Sequence, residues 1–409
     1  MRAAQEIFAK AANQRFGWHG AARLIGPDGG EVPRGGVFAP VQPDRPGGMA
    51  LASALAGQGR GFRIGGEATV EAPVGSFETL TGGSLGGSRR VVRTQASWLA
   101  SFAVNAKLLG IGPGVRVAVP GRLSQSLALY AALEGLALGA EVHLLDGLRP
   151  DRMAQGIVER RIGVVYVTPV HLALMVAGGT RWPDLRLVLV GGAKLDDGLL
   201  RAVHALAPLA EVREFYGAAE ASFITLSGPQ DGLETVGRPY PGVDLRICDT
   251  GGTDLPAGRV GEIWVRSPYV FQHYVGTDTG SARWRDGWLS VGEIGVLTPD
   301  GLVLRGRAGR MVSIAGQNVF PEEIERFMAG LPGVARVAVL AQADAVRGHV
   351  LWAVLVGEPA REREILAATR AQLGSMVSPR GVIWRQDWPV LASGKTNLGA
   401  LQAQVDAWR

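Results

Sequence analysis

The chain has 409 residues, too many for one ordinary domain, and this length predicts two domains of unequal size. Hydrophobic residues make up 47% and charged residues 19% of the sequence, a balance that supports a large buried core and excludes a disordered chain. The net charge of +5 forms no basic tract with interleaved aromatic residues, which argues against nucleic-acid binding. The single cysteine, Cys248, excludes an internal disulfide and a cysteine-rich metal site.

The sequence contains no pattern typical of a targeting signal or a membrane span. Residues 1–18 mix charged side chains with apolar ones at helical spacing, which predicts an amphipathic helix rather than a secretory signal. The longest apolar stretch, 127–145, is interrupted by Glu134 and Glu141 and predicts a packed helix followed by a strand. We therefore expect a cytoplasmic protein without a transmembrane segment.

Helices and apolar strands alternate through the first half of the chain. Residues 19–75 are rich in Gly and Pro and predict little regular structure. The patterns that follow predict helices over 95–107, about 124–138 and 149–160, and strands over 115–119, 141–145, 164–167 and 185–190. Alternation of this kind predicts an α/β fold built on a parallel sheet.

The sequence pattern changes twice in the second half of the chain. Short strands and turn signals between residues 237 and 304 predict a β-rich subdomain. Beyond it, Pro321 is typical of a helix start, residues 334–340 and 350–356 are apolar strands, and 361–373 is a further helix. We place the boundary at 307–310, which predicts a large domain of residues 1–306 and a small C-terminal domain of residues 307–409.

Residues 81–90 are the first segment suited to phosphate chemistry. They contain four glycines, hydroxyl side chains and two arginines, a composition typical of a loop whose backbone N–H groups surround a polyphosphate. The segment is not a Walker loop, because the Gly-Lys-Ser/Thr of that motif is missing. A plain flexible loop is the alternative.

Three later segments place single charged residues beside turns. Glu220 follows a predicted strand and is suited to Mg²⁺ beside phosphates. Glu293 and Arg307 are suited to ribose hydroxyls and to the sugar or its phosphate. Lys395, one of only four lysines, is suited to a phosphate or a developing oxyanion. The alternatives are an exposed acidic turn, a surface ion pair and a solvated loop.

In this order and spacing, the segments resemble the motifs of the adenylate-forming superfamily, which includes acyl-CoA synthetases, adenylation domains of peptide synthetases and firefly luciferases. Residues 81–90 are similar to the family's glycine-rich phosphate loop, and residues 216–220 to its Tyr-Gly-x-Thr-Glu motif. Residues 291–293 are similar to its Thr-Gly-Asp motif, residues 306–325 to its Gly-Arg hinge followed by Pro-x-Glu-Ile-Glu, and residues 394–395 to its terminal Gly-Lys. The resemblance implies a large AMP-binding domain and a small, mobile C-terminal lid domain.

The resemblance implies an ATP-dependent carboxylate–CoA ligase of the AMP-forming type. Such an enzyme forms an acyl-adenylate with release of pyrophosphate and then transfers the acyl group to coenzyme A, with Mg²⁺ bound beside the phosphates. The apolar surroundings favour a fatty or aromatic acid as substrate. Two alternatives stay open: an adenylating enzyme that loads an acyl carrier protein, and a non-catalytic protein that binds nucleotide or acyl groups.

Individual residues take roles only through this resemblance. It implies catalytic roles for Lys395, Glu220 and Arg89, with Glu220 also as the ligand of Mg²⁺. It implies ATP or AMP binding by Thr81, Gly83, Ser84, Gly86, Gly191, Gly192, Ala193, Tyr216, Gly217, Glu293 and Arg307. It implies acyl binding by His171 and Ala219, with a packing role as the alternative for His171, and CoA binding by Ala315 and Gly316.

The sequence also departs from the family pattern. Ala219 stands where the family usually has threonine, and Gly309 occupies the hinge position that is usually aspartate or lysine. Only about eighty residues precede the phosphate segment, fewer than in most family members. Because that region helps to form the acyl pocket in the family, we expect a more open pocket, or one completed by a second chain in a homodimer.

Overall fold

The computed structural model describes residues 15–81, 89–276, 282–391 and 395–407. The predicted N-terminal helix and the predicted phosphate contacts Gly83, Ser84 and Gly86 lie outside these ranges. The described α-helices are α1 (Gly47–Leu55), α2 (Gln95–Leu108), α3 (Ser126–Leu138), α4 (Pro150–Glu159), α5 (Pro169–Val176), α6 (Asp197–Leu206), α7 (Pro321–Ala329), α8 (Glu362–Leu373) and α9 (Leu398–Ala407), and Pro359–Arg361 is a 3₁₀ turn. None of them is both long and apolar enough to cross a membrane.

The described strands are numbered in chain order. They are β1 (Arg23–Ile25), β2 (Val41–Gln42), β3 (Arg63–Ile64), β4 (Ser76–Thr81), β5 (Arg89–Thr94), β6 (Arg116–Val119), β7 (Glu141–Leu144), β8 (Val164–Val167), β9 (Leu187–Gly191), β10 (Glu211–Ala218), β11 (Ser222–Leu226) and β12 (Arg238–Pro239). They continue with β13 (Asp244–Cys248), β14 (Gly261–Arg266), β15 (His273–Tyr274), β16 (Arg283–Arg285), β17 (Trp288–Ser290), β18 (Glu293–Thr298), β19 (Gly301–Arg307), β20 (Val312–Ile314), β21 (Gln317–Val319), β22 (Val334–Asp344), β23 (Gly348–Gly357) and β24 (Gly381–Trp384).

The large domain is built on a mostly parallel sheet with the strand order β1-β7-β6-β8-β9-β10-β11-β12. Strands β1 and β6 to β10 run parallel, whereas β11 and β12 are antiparallel to their neighbours. The α/β fold with a parallel sheet, predicted from the apolar strand patterns, is therefore confirmed. Because parallel strands end at one edge, the residues after β8, β9 and β10 meet there, as ligand-binding residues do in open α/β sheets.

The region 19–75 contains more structure than its composition predicts. Strand β1 pairs with β7 and extends the parallel sheet by one strand, and α1 packs as a short buried helix. The strands of this region were missed because β1 has three residues and β2 and β3 have two, too few to show a periodicity.

Two antiparallel sheets complete the large domain. Strands β4 and β5 pair so that Thr81 faces Arg89, and this hairpin brings together the two ends of the predicted phosphate segment. Strands β13, β14 and β16 to β19 form the β-rich subdomain predicted between residues 237 and 304. Strand β15 joins β5 and returns residue 274 to the phosphate-segment hairpin.

A smaller α/β unit follows at the C-terminal end. Strands β22, β23 and β24 form its sheet, and α7 packs on that sheet through Ile324 and Met328. Arg310 lies at its start and donates to Glu325 at 2.7 and 3.1 Å and to the carbonyl oxygen of Val339 at 2.9 Å. This buried arginine ties the segment after β19 to the small domain rather than to the large one.

A carboxyl group is fully buried in the core of the large domain. Glu134 accepts hydrogen bonds from Tyr166 and, at 2.7 Å, from Asn105. Asn105 also donates to the Tyr130 hydroxyl at 3.2 Å and accepts from Tyr240 at 2.6 Å. Burial raises the pKa of Glu134 from 4.5 to about 7, because the charged form is costly where water is excluded.

This pKa predicts a dependence of stability on pH. Between about pH 4.5 and 7 the folded state binds the Glu134 proton more readily than the unfolded state, so Glu134 makes the protein less stable as the pH rises through this window. Glu134→Gln removes this contribution. We expect the free energy of unfolding of the variant, relative to that of the wild type, to gain roughly 3 kcal/mol across the window.

Urea titrations at several pH values in this window measure the difference. The control is Glu159→Gln, which changes an exposed glutamate on α4 and should keep a constant offset. A constant offset for Glu134→Gln as well would contradict the raised pKa.

Candidate active site

Lys395 extends from the small domain to the carboxyl edge of the large sheet. It lines a cavity of about 170 Å³ together with Thr168 after β8, Gly192 after β9 and Ala219 after β10. It also lines a neighbouring cavity of about 260 Å³ that contains Arg307. The lysine that sequence reasoning singled out is therefore a residue common to both cavities.

The electrostatics of Lys395 reflect this enclosed position. Burial, followed by the nearby Arg307 guanidinium, lowers the pKa of Lys395, while the carboxylates of Glu293 and Glu220 act in the opposite direction. Four charged residues predicted from separate motifs are thus close enough to interact. Two cations and two carboxylates around one opening suit a polyphosphate with a bound cation.

Glu220 lies in the turn between β10 and β11, half-buried at the edge of the sheet. Its Oε1 accepts a hydrogen bond from the Tyr274 hydroxyl at 2.7 Å, and its carbonyl oxygen accepts from the Phe271 amide at 2.7 Å. Tyr274 reaches this position because β15 pairs with β5. Sequence reasoning missed Tyr274, since nothing in its neighbourhood marks it as a partner of a residue 54 positions earlier.

Arg93 supports the same turn by hydrogen bonds. Sequence reasoning did not predict this residue either. Its side chain is fully buried and donates to Ser222 Oγ at 2.8 Å and to the carbonyl oxygens of Ala219 and Tyr269. Ser222 also accepts from Trp98 Nε1 at 2.9 Å. Burial lowers the pKa of Arg93 to about 9. The only feature of the sequence that could have indicated this role is an arginine next to two valines in an apolar strand.

Glu293 and Arg307 form an ion pair at the start of β18 and the end of β19. Arg307 Nε donates to Glu293 Oε1 at 3.3 Å. The Tyr216 hydroxyl is buried next to this carboxylate, and burial together with Glu293 raises the pKa of Tyr216 well above its ordinary value. The ion pair given as an alternative by the sequence is present, and its position places both residues beside Tyr216 rather than on a remote surface.

The phosphate segment is described only at its two ends. The backbone amide of Arg89 donates to Thr81 Oγ1 at 3.3 Å, and Thr81 lines the smaller cavity. Both described ends of the segment therefore lie beside the cavity that Lys395 lines.

Three glycines at or near the ends of β9 and β10 are needed for different structural reasons. A Cβ atom on Gly191 would lie 2.1 Å from the ring of Phe215, so this glycine permits the packing of that ring. Gly192 has a φ of +89°, a conformation that glycine adopts at little cost. Ala193 is exposed and lines the larger cavity. A Cβ atom on Gly217 would lie 2.1 Å from the Ser222 carbonyl oxygen, so Gly217 permits the close approach of β11.

The two residues predicted for acyl binding lie differently. Ala219 lines the smaller cavity. His171 is at the start of α5, where its Nδ1 lies 3.2 Å from Thr168 Oγ1, and burial lowers its pKa. Thr168 rather than His171 faces the cavity, so the acyl-binding role of His171 stays a prediction.

The two residues predicted for CoA binding lie apart from both cavities. Ala315 and Gly316 form the exposed turn of the β20–β21 hairpin, with φ values of +49° and +82°. The Ala315 amide donates to the Arg347 carbonyl oxygen at 2.9 Å within the small domain. Lys395 therefore lines both cavities, whereas this turn lines neither.

Among the described residues, no three His, Cys, Asp or Glu side chains converge into a metal-binding cluster. Glu220 could hold a cation at this edge together with oxygens of a substrate. Mg²⁺ suits such an arrangement, because it commonly binds through one or two carboxylates plus phosphate oxygens.

The relatives found by comparison with known proteins include two CoA ligases. The chain is 31% identical over 321 residues to an uncharacterised acyl–CoA ligase, YhfT, of Bacillus subtilis (strain 168), covering 77% of this chain and 66% of the relative. It is 30% identical over 275 residues to an indoleacetate–CoA ligase of Aromatoleum aromaticum, covering 64% of this chain and 53% of the relative. The chain thus spans less than two thirds of the length of these curated relatives.

Among solved structures, the amide bond synthetase McbA from Marinactinospora thermotolerans has the same fold. It superposes with a TM-score of 0.79 at 22% identity, covering 98% of this chain and 100% of McbA. Two models of one family match the sequence: AMP-binding enzyme over residues 77–275 and AMP-binding enzyme C-terminal domain over residues 323–395. Together with the relatives, these matches establish that the chain belongs to the adenylate-forming family of AMP-binding enzymes.

Proposed function

We propose that this protein converts a carboxylic acid, ATP and CoA into acyl-CoA, AMP and pyrophosphate by way of an acyl-adenylate. The observation that carries the proposal is the position of Lys395, which lines the small cavity at the strand ends and the larger cavity beside Arg307. An acid in the first cavity and a nucleotide beside the second would place their reacting groups next to the same cation.

The first half-reaction joins two anions. A carboxylate oxygen attacks the α-phosphorus of ATP, and the bond from that phosphorus to the bridging oxygen breaks, so that pyrophosphate leaves with the electron pair. Lys395 and Arg89 would stabilise the negative charge that develops on the phosphate oxygens. Mg²⁺ held by Glu220 would supply further charge neutralisation when bound.

We assign the nucleotide contacts by position around this opening. Tyr216 and the segment 191–193 would border the base, and Glu293 with Arg307 would bind the ribose and its phosphate. Thr81 and Gly217 would lie beside the phosphates and the acyl carbonyl. Gly83, Ser84 and Gly86 keep their predicted role in phosphate binding.

The second half-reaction needs a different arrangement of the small domain. The turn formed by Ala315 and Gly316 belongs to the same domain as Lys395 but lines neither cavity. A rotation about residues 307–310 would exchange the lysine for this turn and admit the thiol of CoA. Gating of this kind separates two steps with different needs. The domain boundary at 306 and 307 is part of this proposal.

An experiment can decide whether CoA or a carrier protein accepts the acyl group. A phosphopantetheine on a carrier protein presents the same thiol as CoA, so a carrier protein is the second candidate acceptor. The assay measures pyrophosphate release from Mg-ATP across fatty, aromatic and dicarboxylic acids, with and without CoA, and identifies the product by mass. Acid-dependent release with acyl-CoA formation is the expected result.

Two other outcomes would contradict the proposal. Acid-dependent pyrophosphate release without acyl-CoA, but with acylation of a phosphopantetheinylated carrier protein, would assign the carrier as acceptor. Nucleotide binding without pyrophosphate release for any acid would assign a non-catalytic binding protein.

A further inference from the structure

Four aromatic side chains form part of the walls of the small cavity beside Lys395. Trp98 from α2, Tyr130 from α3, Phe215 from β10 and Phe223 from β11 all line it. Trp98, Tyr130 and Phe223 are almost entirely buried. The volume of about 170 Å³ is close to that of cavities of about 150 Å³ that hold one benzene ring, and it is below the range of pockets for larger ligands.

The aromatic rings hold one another in place. The Phe215 and Phe223 centroids are 4.5 Å apart, those of Tyr130 and Phe223 5.4 Å, and those of Trp98 and Tyr130 5.0 Å. Ring pairs at these separations attract each other, and the Tyr130 and Trp98 rings meet edge to face. The walls are therefore already formed before a ligand binds, and they offer flat surfaces.

Tyr130, which lines the cavity, belongs to a buried hydrogen-bonded network. The Tyr130 hydroxyl lies 2.8 Å from Ser101 Oγ and 3.2 Å from Asn105 Nδ2, and Glu134 lies behind it as the acceptor of Asn105 and Tyr166. All of these side chains are buried. Moving Tyr130 aside to lengthen the cavity would leave buried polar atoms without partners.

Among the described residues that line the cavity, Lys395 is the only one with a charged side chain, and it would face the carboxylate that reacts. A second carboxylate or an ammonium group on the ligand would be buried without a partner, which is costly.

We propose that the acid bound in this cavity carries a single aromatic ring and no second charge, with phenylacetate as a representative. The inference rests on the function proposed above and narrows its substrate from fatty or aromatic acids to one class. The ring would lie between the aromatic walls, while the carboxylate points to Lys395.

The test compares phenylacetate, decanoate and glutarate on the intact protein. We expect kcat/KM for pyrophosphate release to be at least about tenfold higher with phenylacetate than with either other acid. A preference for decanoate or glutarate would overturn the inference and leave the ligase proposal standing. If no acid releases pyrophosphate, the ligase proposal fails. Calorimetric titration with the same acids then decides the inference: binding of phenylacetate alone supports it, and any other result overturns it.

Leu127→Ala provides a second readout that does not depend on the wild-type preference being large. Leu127 is a half-buried leucine of α3 that lines the cavity, and its truncation widens the cavity without stranding a polar group. We expect use of 2-naphthylacetate relative to phenylacetate to rise about tenfold. Leu138→Ala, a half-buried leucine of the same helix away from the cavity, is the matched control and should keep the wild-type ratio. An unchanged ratio in Leu127→Ala would overturn the inference.

Discussion

Lys395→Ala should lower the rate of acyl-adenylate formation by about 10²–10³-fold, the loss typical of removing one group that stabilises transition-state charge. The reason is positional: no other described lysine lines either cavity, and the negative charge of the phosphate oxygens increases as the carboxylate attacks. The measurement is single-turnover pyrophosphate release with saturating acid and Mg-ATP.

The same variant should keep most of its activity in the second half-reaction. A chemically prepared acyl-adenylate, mixed with CoA, should yield acyl-CoA at close to the wild-type rate, because the proposed rotation removes Lys395 before the thiol enters. The control is Lys107→Ala, an exposed lysine at the end of α2, which should alter neither rate. Equal losses in both half-reactions would contradict the role assigned to Lys395.

Glu220→Gln should produce the second large effect, on the use of Mg²⁺. A neutral amide is a much weaker ligand for a hard cation than a carboxylate. We expect the Mg²⁺ concentration for half-maximal pyrophosphate release to rise by about tenfold or more. The matched control is Glu211→Gln, which changes the first residue of β10, at the end of that strand away from Glu220, and should leave the Mg²⁺ dependence unchanged.

Tyr274→Phe tests how Glu220 is oriented. The substitution removes the hydroxyl that donates to Glu220 Oε1 at 2.7 Å but keeps the Glu220 carboxylate. Outer partners of metal ligands contribute about 10–100-fold to metal affinity. We expect a shift in the same direction as in Glu220→Gln and smaller in size. An unchanged Mg²⁺ dependence in both variants would remove Glu220 from the site.

Local patterns were sufficient for several regular elements of the large domain. The strand predicted over 164–167 is β8 with the same bounds, and the helix predicted over 95–107 is one residue longer. Each is long enough to show its periodicity and ends at a turn signal. Elements of two or three residues, such as β1, were missed because their place is decided by the strand beside them.

The cavity proposed to bind the acid could be located from the sequence only in part. Ala219 was predicted through its motif and lines the cavity, but its neighbours Trp98, Tyr130 and Phe223 were not predicted. Each lies in an apolar stretch where an aromatic residue is expected simply as part of the core. His171 was also predicted; its Nδ1 lies 3.2 Å from Thr168 Oγ1, and its acyl-binding role stays a prediction.

The sequence by itself determined the family, the order of the motifs and the identity of the charged residues, because each depends on a short stretch of chain. Only the tertiary structure decided what supports them. Arg93 reaches Ala219 across 126 residues and Tyr269 across 176, and Tyr274 reaches Glu220 across 54. Such contacts depend on which strands pair and on which side chains burial forces to share hydrogen bonds, and neither leaves a periodic pattern in the sequence.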